Sequence, residues 1–338
     1  MRADRLTYYQ QLEDARGGRL LVYFTGDRQG METIMHPEVL DRFTEHLDSF
    51  NSPDKIILLL HSRGGDTGAG WSIANLIRSF CNKDFEVIVP ARAHSAATLL
   101  CLGADKIIMT RQATLGPIDP TVNSPLNPSI PGAGPLAKSP VSVEAIKGFV
   151  ELATEELKIK GSRDMSQVLT VLAANVHPLV LGNAFRVRSH IRMLATNLLE
   201  KHMKKERNSK LKIEKIVKFL CSESGSHDYT INRTEARDNL GMKIEKPSDK
   251  LYKLISSIYD DIATEMQLKE RFDPQLFISA ADQGTYTCRR ALIESVSGGT
   301  DVFISEGVII KQQVTTPAGP ITQPLDRRSF EGWRKENV

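Results

Sequence analysis

The chain has 338 residues, of which 41% are hydrophobic and 25% are charged, and its formal net charge at neutral pH is +3. This length allows two domains or one elaborated domain, and the composition is that of an ordinary globular protein. The small net charge gives no indication of a nucleic-acid partner, and no apolar run is long enough to span a bilayer.

Short apolar runs alternate with helical patterns from residue 19 onward. The N-terminal stretch before them lacks the apolar region of a signal peptide, so we expect a cytoplasmic location. Strands are predicted at 19–25, 55–62, 85–91, 105–110 and 113–116, and helices at 36–50, 66–80 and 95–102. This order predicts an α/β fold with a largely parallel sheet.

The character of the chain changes between residues 116 and 140. This segment contains seven prolines and three glycines, so it cannot form a regular helix or a central strand. A loop of this length inside a compact domain is usually either functional or disordered. Because it directly follows a predicted strand, we favour a lid or a substrate-binding loop over a bare linker.

The remaining chain is mostly helical and then β-rich. Helical patterns dominate 141–222 and return at 248–270, short strands are predicted at 289–296 and 301–310, and the last residues resemble a poorly ordered tail. The predicted domains are a core with the functional site at 1–140, a helical insertion at 141–222, a core-closing strand and helix segment with a β-rich end at 223–312, and a disordered tail at 313–338.

Two short motifs follow neighbouring predicted strands. The first is HSRGGD (61–66) and the second is AHSAAT (93–98). Ligands of parallel α/β sheets bind outside the carboxyl ends of the strands, where both motifs fall. The glycine pair would offer unobstructed backbone N–H groups to an oxyanion, whereas Ser95 could be either a helix cap or a nucleophile.

Together, the stretches LLLHSRGGDTGAG, AHSAATLLCLGADKIIM and LGPIDP resemble the superfamily of Clp-type peptidases and crotonases. Within it they most resemble the serine dehydrogenase proteinase family, which is related to signal peptide peptidase A. The resemblance implies a spiral of β-β-α units with a helical insertion and a short β-rich C-terminal segment. It also makes Ser95 the nucleophile, with the amides of Gly65 and Ala96 as the oxyanion hole and Gly64 shaping the turn.

The sequence does not decide which residue would act as the general base. Clp-type peptidases carry a histidine about 25 residues after the serine, and this chain has none there. His227 is the first candidate, and Lys138 or Lys147 could instead form a Ser–Lys dyad. His61 or His94 could also act locally. Asp119 or Asp228 could orient a histidine base.

The leading functional hypothesis is a serine peptidase that cleaves peptides or unfolded protein segments through an acyl-enzyme. The alternatives are a catalytically silent oligomeric scaffold of the same fold and a crotonase-type acyl-CoA enzyme. We expect a homo-oligomer, a peptide or protein substrate, no cofactor and no metal, and contact with neither nucleic acid nor membrane. The four cysteines show no CxxC spacing, so we expect reduced thiols rather than a zinc site or disulfides; they are Cys81, Cys101, Cys221 and Cys288.

Overall fold

Five apolar strands form the parallel half of the central sheet. The computed structural model describes residues 2–119, 121–134, 136–204, 208–226, 228–316 and 319–336. The five strands are β1 (Arg19–Thr25), β2 (Lys55–His61), β3 (Asp84–Val89), β5 (Lys106–Met109) and β10 (Ile244–Glu245). They lie in the order β10-β5-β3-β2-β1 with all pairs parallel.

The other half of the sheet is antiparallel. It adds β11 (Gln283–Ser295), β12 (Gly299–Thr316) and β13 (Gly319–Glu336) beyond β1. The expectation of a disordered tail at 313–338 is thus wrong for most of that segment, because β13 pairs with β12 along its whole length. Its prolines and many charged residues are tolerated because β13 is an edge strand with one free side.

Helices cover both faces of this sheet. α1 (Arg2–Arg16) and α9 (Asp249–Glu265) pack on one face, where their apolar side chains join alternate residues of β1 and β2 in a buried cluster. On the opposite face, Tyr23 of β1 makes an edge-to-face contact with Phe43 of α2 (Leu40–Asp48). α2 packs against α3 (Thr67–Phe80), which packs against α4 (Ala96–Cys101).

A small three-stranded sheet lies at the carboxyl ends of the parallel strands. It consists of β4 (Arg92–Ala93), β6 (Thr114–Leu115) and β9 (Ile231–Asn232). β4 and β6 are parallel, and β9 runs antiparallel to β6 with Leu115 opposite Ile231. This sheet therefore joins chain segments from both sides of residues 116–230.

The chain divides into two compact units, of which the first is Met1–Leu115 with Ile231–Val338 and the second is Gly116–Thr230. The elements above and α10 (Pro274–Ala280) belong to the first unit. The second contains a two-stranded ladder and four helices: β7 (Thr121–Val122), β8 (Val141–Ser142), α5 (Val143–Glu151), α6 (Ser162–Asn175), α7 (Pro178–Met203) and α8 (Ser209–Lys218). Short 3₁₀ or π-helical turns occupy Pro37–Val39, Leu152–Glu156, Phe219–Glu223 and Glu235–Asn239.

The second unit has a small core of its own. Val122 and Val141 of the ladder pack with Val143 of α5 and with Val180 and Ala184 of α7, whereas α6 has no buried side chain. No single helix of the described residues has the length and apolar character of a membrane span. α6 and α7 meet those criteria only as a pair that is bent by 102°.

The predicted α/β class, with a helical insertion and a β-rich C-terminal segment, is confirmed. The domain boundaries at 140 and 222 remain a prediction. Along the chain, the boundaries between the two compact units fall at residues 115/116 and 230/231. The proline-rich segment 116–140 lies in the second unit, where the Asn127 side chain donates to the carbonyls of Val122 and Ser139 and fixes it locally.

Candidate active site

The two motifs meet because β2 continues past its last ladder position to pair with β4. The Ser62 N–H donates to the Arg92 carbonyl at 3.1 Å, and the His94 N–H donates to the Ser62 carbonyl at 3.0 Å. This pairing places the turn at Gly64–Gly65 beside the start of α4. The arrangement predicted from the sequence, with both motifs at the same edge of the sheet, is found in the first unit.

Gly64 leaves the space in which Ser95 lies. A Cβ on Gly64 would sit 2.7 Å from the Ser95 Cβ and 2.6 Å from the His94 carbonyl oxygen, closer than any side chain can be. Gly64 also has a φ of +100°, and Gly65 has a φ of +147°. Only glycine adopts such angles without strain, so both glycines are required by the turn itself.

Ser95 does not act as the cap of α4. Its side chain makes no capping hydrogen bond, and its backbone has a φ of 52° and a ψ of −120°. Among the described residues no side chain hydrogen-bonds to its hydroxyl, and the residue is half-buried. A residue other than glycine with positive φ is uncommon and often marks a functional site. Within the described part of the chain, the Ser95 hydroxyl thus has no hydrogen-bond partner.

Two backbone amides near Ser95 are available as donors. The Ala96 N–H is the first of α4 and so has no partner within the helix. The Gly65 N–H likewise forms no hydrogen bond with the described part of the chain. Gly70 of α3 packs against this point, since a Cβ there would lie 2.5 Å from the Ala96 carbonyl oxygen. Both amides can therefore donate to an incoming oxygen.

Residues that the sequence reasoning missed hold the glycine turn in place. The Gly64 N–H donates to the Ser62 hydroxyl at 3.0 Å, and that hydroxyl also accepts from Thr25 at 2.7 Å. On the other side, the Met35 N–H donates to the Gly64 carbonyl and the Met35 carbonyl accepts from the Asp66 N–H, both at 2.8 Å. Of these residues, only Ser62 lies close to the glycines in sequence, directly before RGG, so only its role could have been predicted from the motif.

The histidines inside the two motifs have other neighbours. His61 is buried, stacks on Phe24 and has its Nε2 3.6 Å from a carboxylate oxygen of Asp27. His94 contacts the Thr114 hydroxyl through Nε2 at 2.8 Å. His61 follows the alternation of β2 and shares a face with Phe24 of β1, whereas Ser62 shares the opposite face with Thr25.

Charged residues surround His61 at the ends of β1 and β4. Arg92 forms an ion pair with Asp27 at 3.0 Å. Burial acts to raise the pKa of Asp27, but the neighbouring His61 and Arg92 outweigh it and hold the pKa below its ordinary value. On the facing helix α9, burial raises the pKa of Tyr259, and the nearby Asp27 carboxylate adds to this.

The predicted lysine bases belong to the second unit. Lys138 donates to the Ser129 hydroxyl at 2.8 Å. Lys147 donates to the Ser222 carbonyl at 2.6 Å and pairs with Glu151 at 3.2 Å.

The other predicted members of a triad also lie in this part of the chain. His227 lies outside the described residues. Asp228 is exposed and its N–H donates to the Ser226 hydroxyl, while Asp119 is buried. The roles of His227, Lys138, Lys147, Asp119 and Asp228 therefore remain predictions.

A second serine, histidine and aspartate array occurs in the first unit, and none of its members belongs to either motif. His46 contacts the Ser295 hydroxyl through Nδ1 at 2.7 Å and Asp301 through Nε2 at 3.1 Å. Ser295 and His46 are completely buried, and the Gly298 N–H donates to the same hydroxyl at 2.8 Å. No substrate can reach Ser295 in this arrangement, so the array fastens the turn between β11 and β12 to α2.

Residues 47–138 match the family model of the ClpP-like SDH-type serine proteinases. The predicted family resemblance is confirmed over this segment. The matched segment contains both motifs.

Two curated relatives are uncharacterized proteins of Methanocaldococcus jannaschii. One is 29% identical over 190 residues, which cover 56% of this chain and 53% of the relative. The other is 39% identical over 67 residues, covering 20% and 23% of the two chains. The chain thus spans about half the length of the first relative and about a quarter of the second.

Solved structures of proteases are also similar to this chain. A serine-to-alanine mutant of the 1510-N membrane-bound stomatin-specific protease shares 15% identity, with a TM-score of 0.39 over 65% of this chain and 79% of that one. ClpP1 from Listeria monocytogenes shares 16% identity, with a TM-score of 0.37 over 72% of this chain and 98% of that one.

Proposed function

We propose that the protein is a serine peptidase that cleaves peptides or unfolded protein segments, with Ser95 as the nucleophile. The observation that supports this most strongly concerns Ser95, which has a strained backbone and does not cap α4 with its side chain. It lies beside a turn that only glycine can form. The match of residues 47–138 to a serine proteinase family supports the same reaction class.

In this proposal Ser95 attacks the carbonyl carbon of a peptide bond while a general base takes its hydroxyl proton. The negative charge then develops on the carbonyl oxygen, and the N–H groups of Gly65 and Ala96 stabilise it. The tetrahedral intermediate expels the amine, which takes the proton back from the base. Water, deprotonated by the same base, then attacks the acyl-enzyme; the bond to the Ser95 oxygen breaks, that oxygen takes the proton from the base, and the carboxylic acid is released.

For the general base we retain His227 as the first candidate and Lys138 as the second. Lys147 ranks below them, because its amine already contacts the Ser222 carbonyl and the Glu151 carboxylate. The motif histidines also rank lower, since His61 is stacked beside Asp27 and His94 contacts Thr114.

A fluorophosphonate probe tests the nucleophile. We expect intact mass spectrometry to show one adduct per chain, which is lost in Ser95→Ala and retained in Ser295→Ala, the matched variant of the buried array. Cleavage of an unfolded fluorescent substrate should be lost in Ser95→Ala as well. A wild-type chain that takes up no probe would favour the silent scaffold, and labelling retained in Ser95→Ala would exclude this nucleophile.

We also propose that the protein assembles into a homo-oligomer. The second unit exposes large apolar side chains, including Phe185 at 71% and Leu179 at 68% of their surface, and such exposure is typical of association surfaces. Light scattering should therefore give a mass several times that of one chain. A monomer mass at micromolar concentration would contradict this proposal.

A further inference from the structure

A groove of the first unit lies away from both motifs of the candidate active site. It runs between α1, the segment after β10 and the first half of α9, and its volume is about 1010 Å³. This is at the upper end of the range of about 300–1,000 Å³ that small-molecule sites occupy. The groove is therefore large enough for a chain segment.

The floor of the groove is apolar. Leu251 is buried in the core cluster beneath α1 and α9, and Leu254 packs against the same cluster. Tyr8 of α1 lines the groove from the other side and is 37% exposed. An occupant could bury apolar side chains on this floor.

The rim of the groove is positively charged. Lys246, Lys250 and Lys253 are exposed, and none of them has an ion-pair partner among the residues that the structure describes. Asp14 is the one carboxylate of the lining that is likewise unpaired in the described part of the chain. The other, Glu245, is neutralised by Arg16 at 2.7 Å and Lys106 at 3.1 Å.

We propose that this groove binds an acidic peptide segment that also carries apolar side chains, on a partner or substrate protein. Carboxylates of the peptide would pair with the three lysines, and its apolar side chains would cover Leu251 and Leu254. The apolar residues form the floor rather than a protruding surface, which favours a peptide over a lipid bilayer. The proposal does not depend on the peptidase activity.

The test measures fluorescence anisotropy of a labelled peptide of alternating glutamate and leucine, with a lysine–leucine peptide of the same length as comparison. The full-length Ser95→Ala chain is used, so that the probe is not consumed. We expect Lys250→Glu/Lys253→Glu to weaken binding of the acidic peptide about tenfold. Raising the salt from about 50 mM to about 500 mM should weaken it as well.

A charge-matched variant, Lys210→Glu/Lys215→Glu on the exposed face of α8, should bind the acidic peptide as the parent does. Equal affinity for both peptides, or equal losses in both lysine variants, would overturn the proposal. Vesicles of phosphatidylserine form the second arm. The proposal is wrong if the parent chain binds these vesicles, the Lys250→Glu/Lys253→Glu variant does not, and the acidic peptide fails to bind. The groove would then recognise lipid.

Discussion

Ser95 has a backbone conformation that capping a helix does not require. Asp66 and Ser248 cap α3 and α9 from extended conformations, with φ of −67° and −62°, and each accepts a hydrogen bond from the first turn. Ser95 has a φ of 52° and accepts no such bond. Strain of this kind costs about 1–3 kcal/mol and persists only where the surroundings impose it. In the proposed function, this strained conformation presents the Ser95 hydroxyl to a substrate.

Ser62 should matter for both stability and reactivity, although it lies outside the set of predicted site residues. In Ser62→Ala the buried Gly64 N–H loses its acceptor, which should lower the free energy of unfolding by about 1–3 kcal/mol. We also expect slower fluorophosphonate labelling of Ser95, because the turn that carries Gly65 is less fixed. Urea unfolding and the labelling rate measure the two effects.

Thr25→Val is the matched control, since it removes the second bond to Ser62 but leaves the Gly64 N–H paired. It should lose less stability and keep its labelling rate. Equal effects in the two variants would contradict the role that we assign to Ser62.

Asp27 should make stability depend on pH in the acidic range. Because its pKa is lowered in the folded state, the carboxylate stabilises the fold above its unfolded-state pKa of about 3.9. That contribution is lost as the pH falls through the folded-state value. Between about pH 6 and pH 3, the free energy of unfolding should therefore fall less in Asp27→Asn than in the wild type. Urea titrations at several pH values measure this difference. The control variant Asp54→Asn changes an exposed aspartate, and its free energy of unfolding should depend on pH as that of the wild type does.

At the scale of the elements, the first helix depends on a buried ionic network. Arg5 of α1 is 1% exposed and contacts Asp261 at 2.5 Å, Glu294 at 3.0 Å and also Glu265. The Tyr9 hydroxyl donates to the Glu294 carboxylate. α1 is thus fastened to α9 and β11 by a network in which Arg5, Glu265 and Glu294 are buried, whereas Asp261 is partly exposed.

Removing one partner of this network should be severe. Arg5→Met leaves the buried Glu294 carboxylate without its cation and leaves Glu265 with Arg289 alone. We expect a loss of about 3–5 kcal/mol in the free energy of unfolding. The double variant Arg5→Met/Glu294→Met removes one of these carboxylates too and should be less destabilised than the single one. Thermal or urea unfolding would contradict this if the single variant lost less than about 1 kcal/mol.

The same elements explain what sequence reasoning could and could not predict. β1, β2, β3, β5, β6 and the glycine turn beside Ser95 were predicted, because their apolar runs and motifs are local signals, whereas the two-residue strand β4 was not. α1 was missed, since it is fastened by Glu294, which lies 289 positions after Arg5 in the chain. β13 was missed because its strand is stabilised by pairing with β12, which outweighs its own weak propensity.

At the scale of the whole molecule, the site residues that the sequence indicated clearly lie in the first unit, whereas the candidates for the general base lie in the second. The proposed nucleophile and the two amides beside it come from the short motifs 61–66 and 93–98 of the first unit. Every leading candidate for the base falls between residues 116 and 230, in the second unit. The sequence there lacks the histidine of the related peptidases, and helical patterns do not reveal which side chain replaces it.

Because β6 pairs with β9, we expect that the second unit, here called the cassette, can be excised from the chain without unfolding the first unit. Leu115 and Ile231 are opposite residues of an antiparallel ladder, where Cα atoms lie about 4.5–5.5 Å apart. An Asn-Gly dipeptide, the usual two-residue hairpin turn, should therefore join them after excision of 116–230. We expect this shortened chain to unfold cooperatively by circular dichroism, with Ser95 and the glycine turn intact. If it takes up a fluorophosphonate as fast as the full chain, the base is encoded in the first unit; if labelling falls sharply, the cassette carries it.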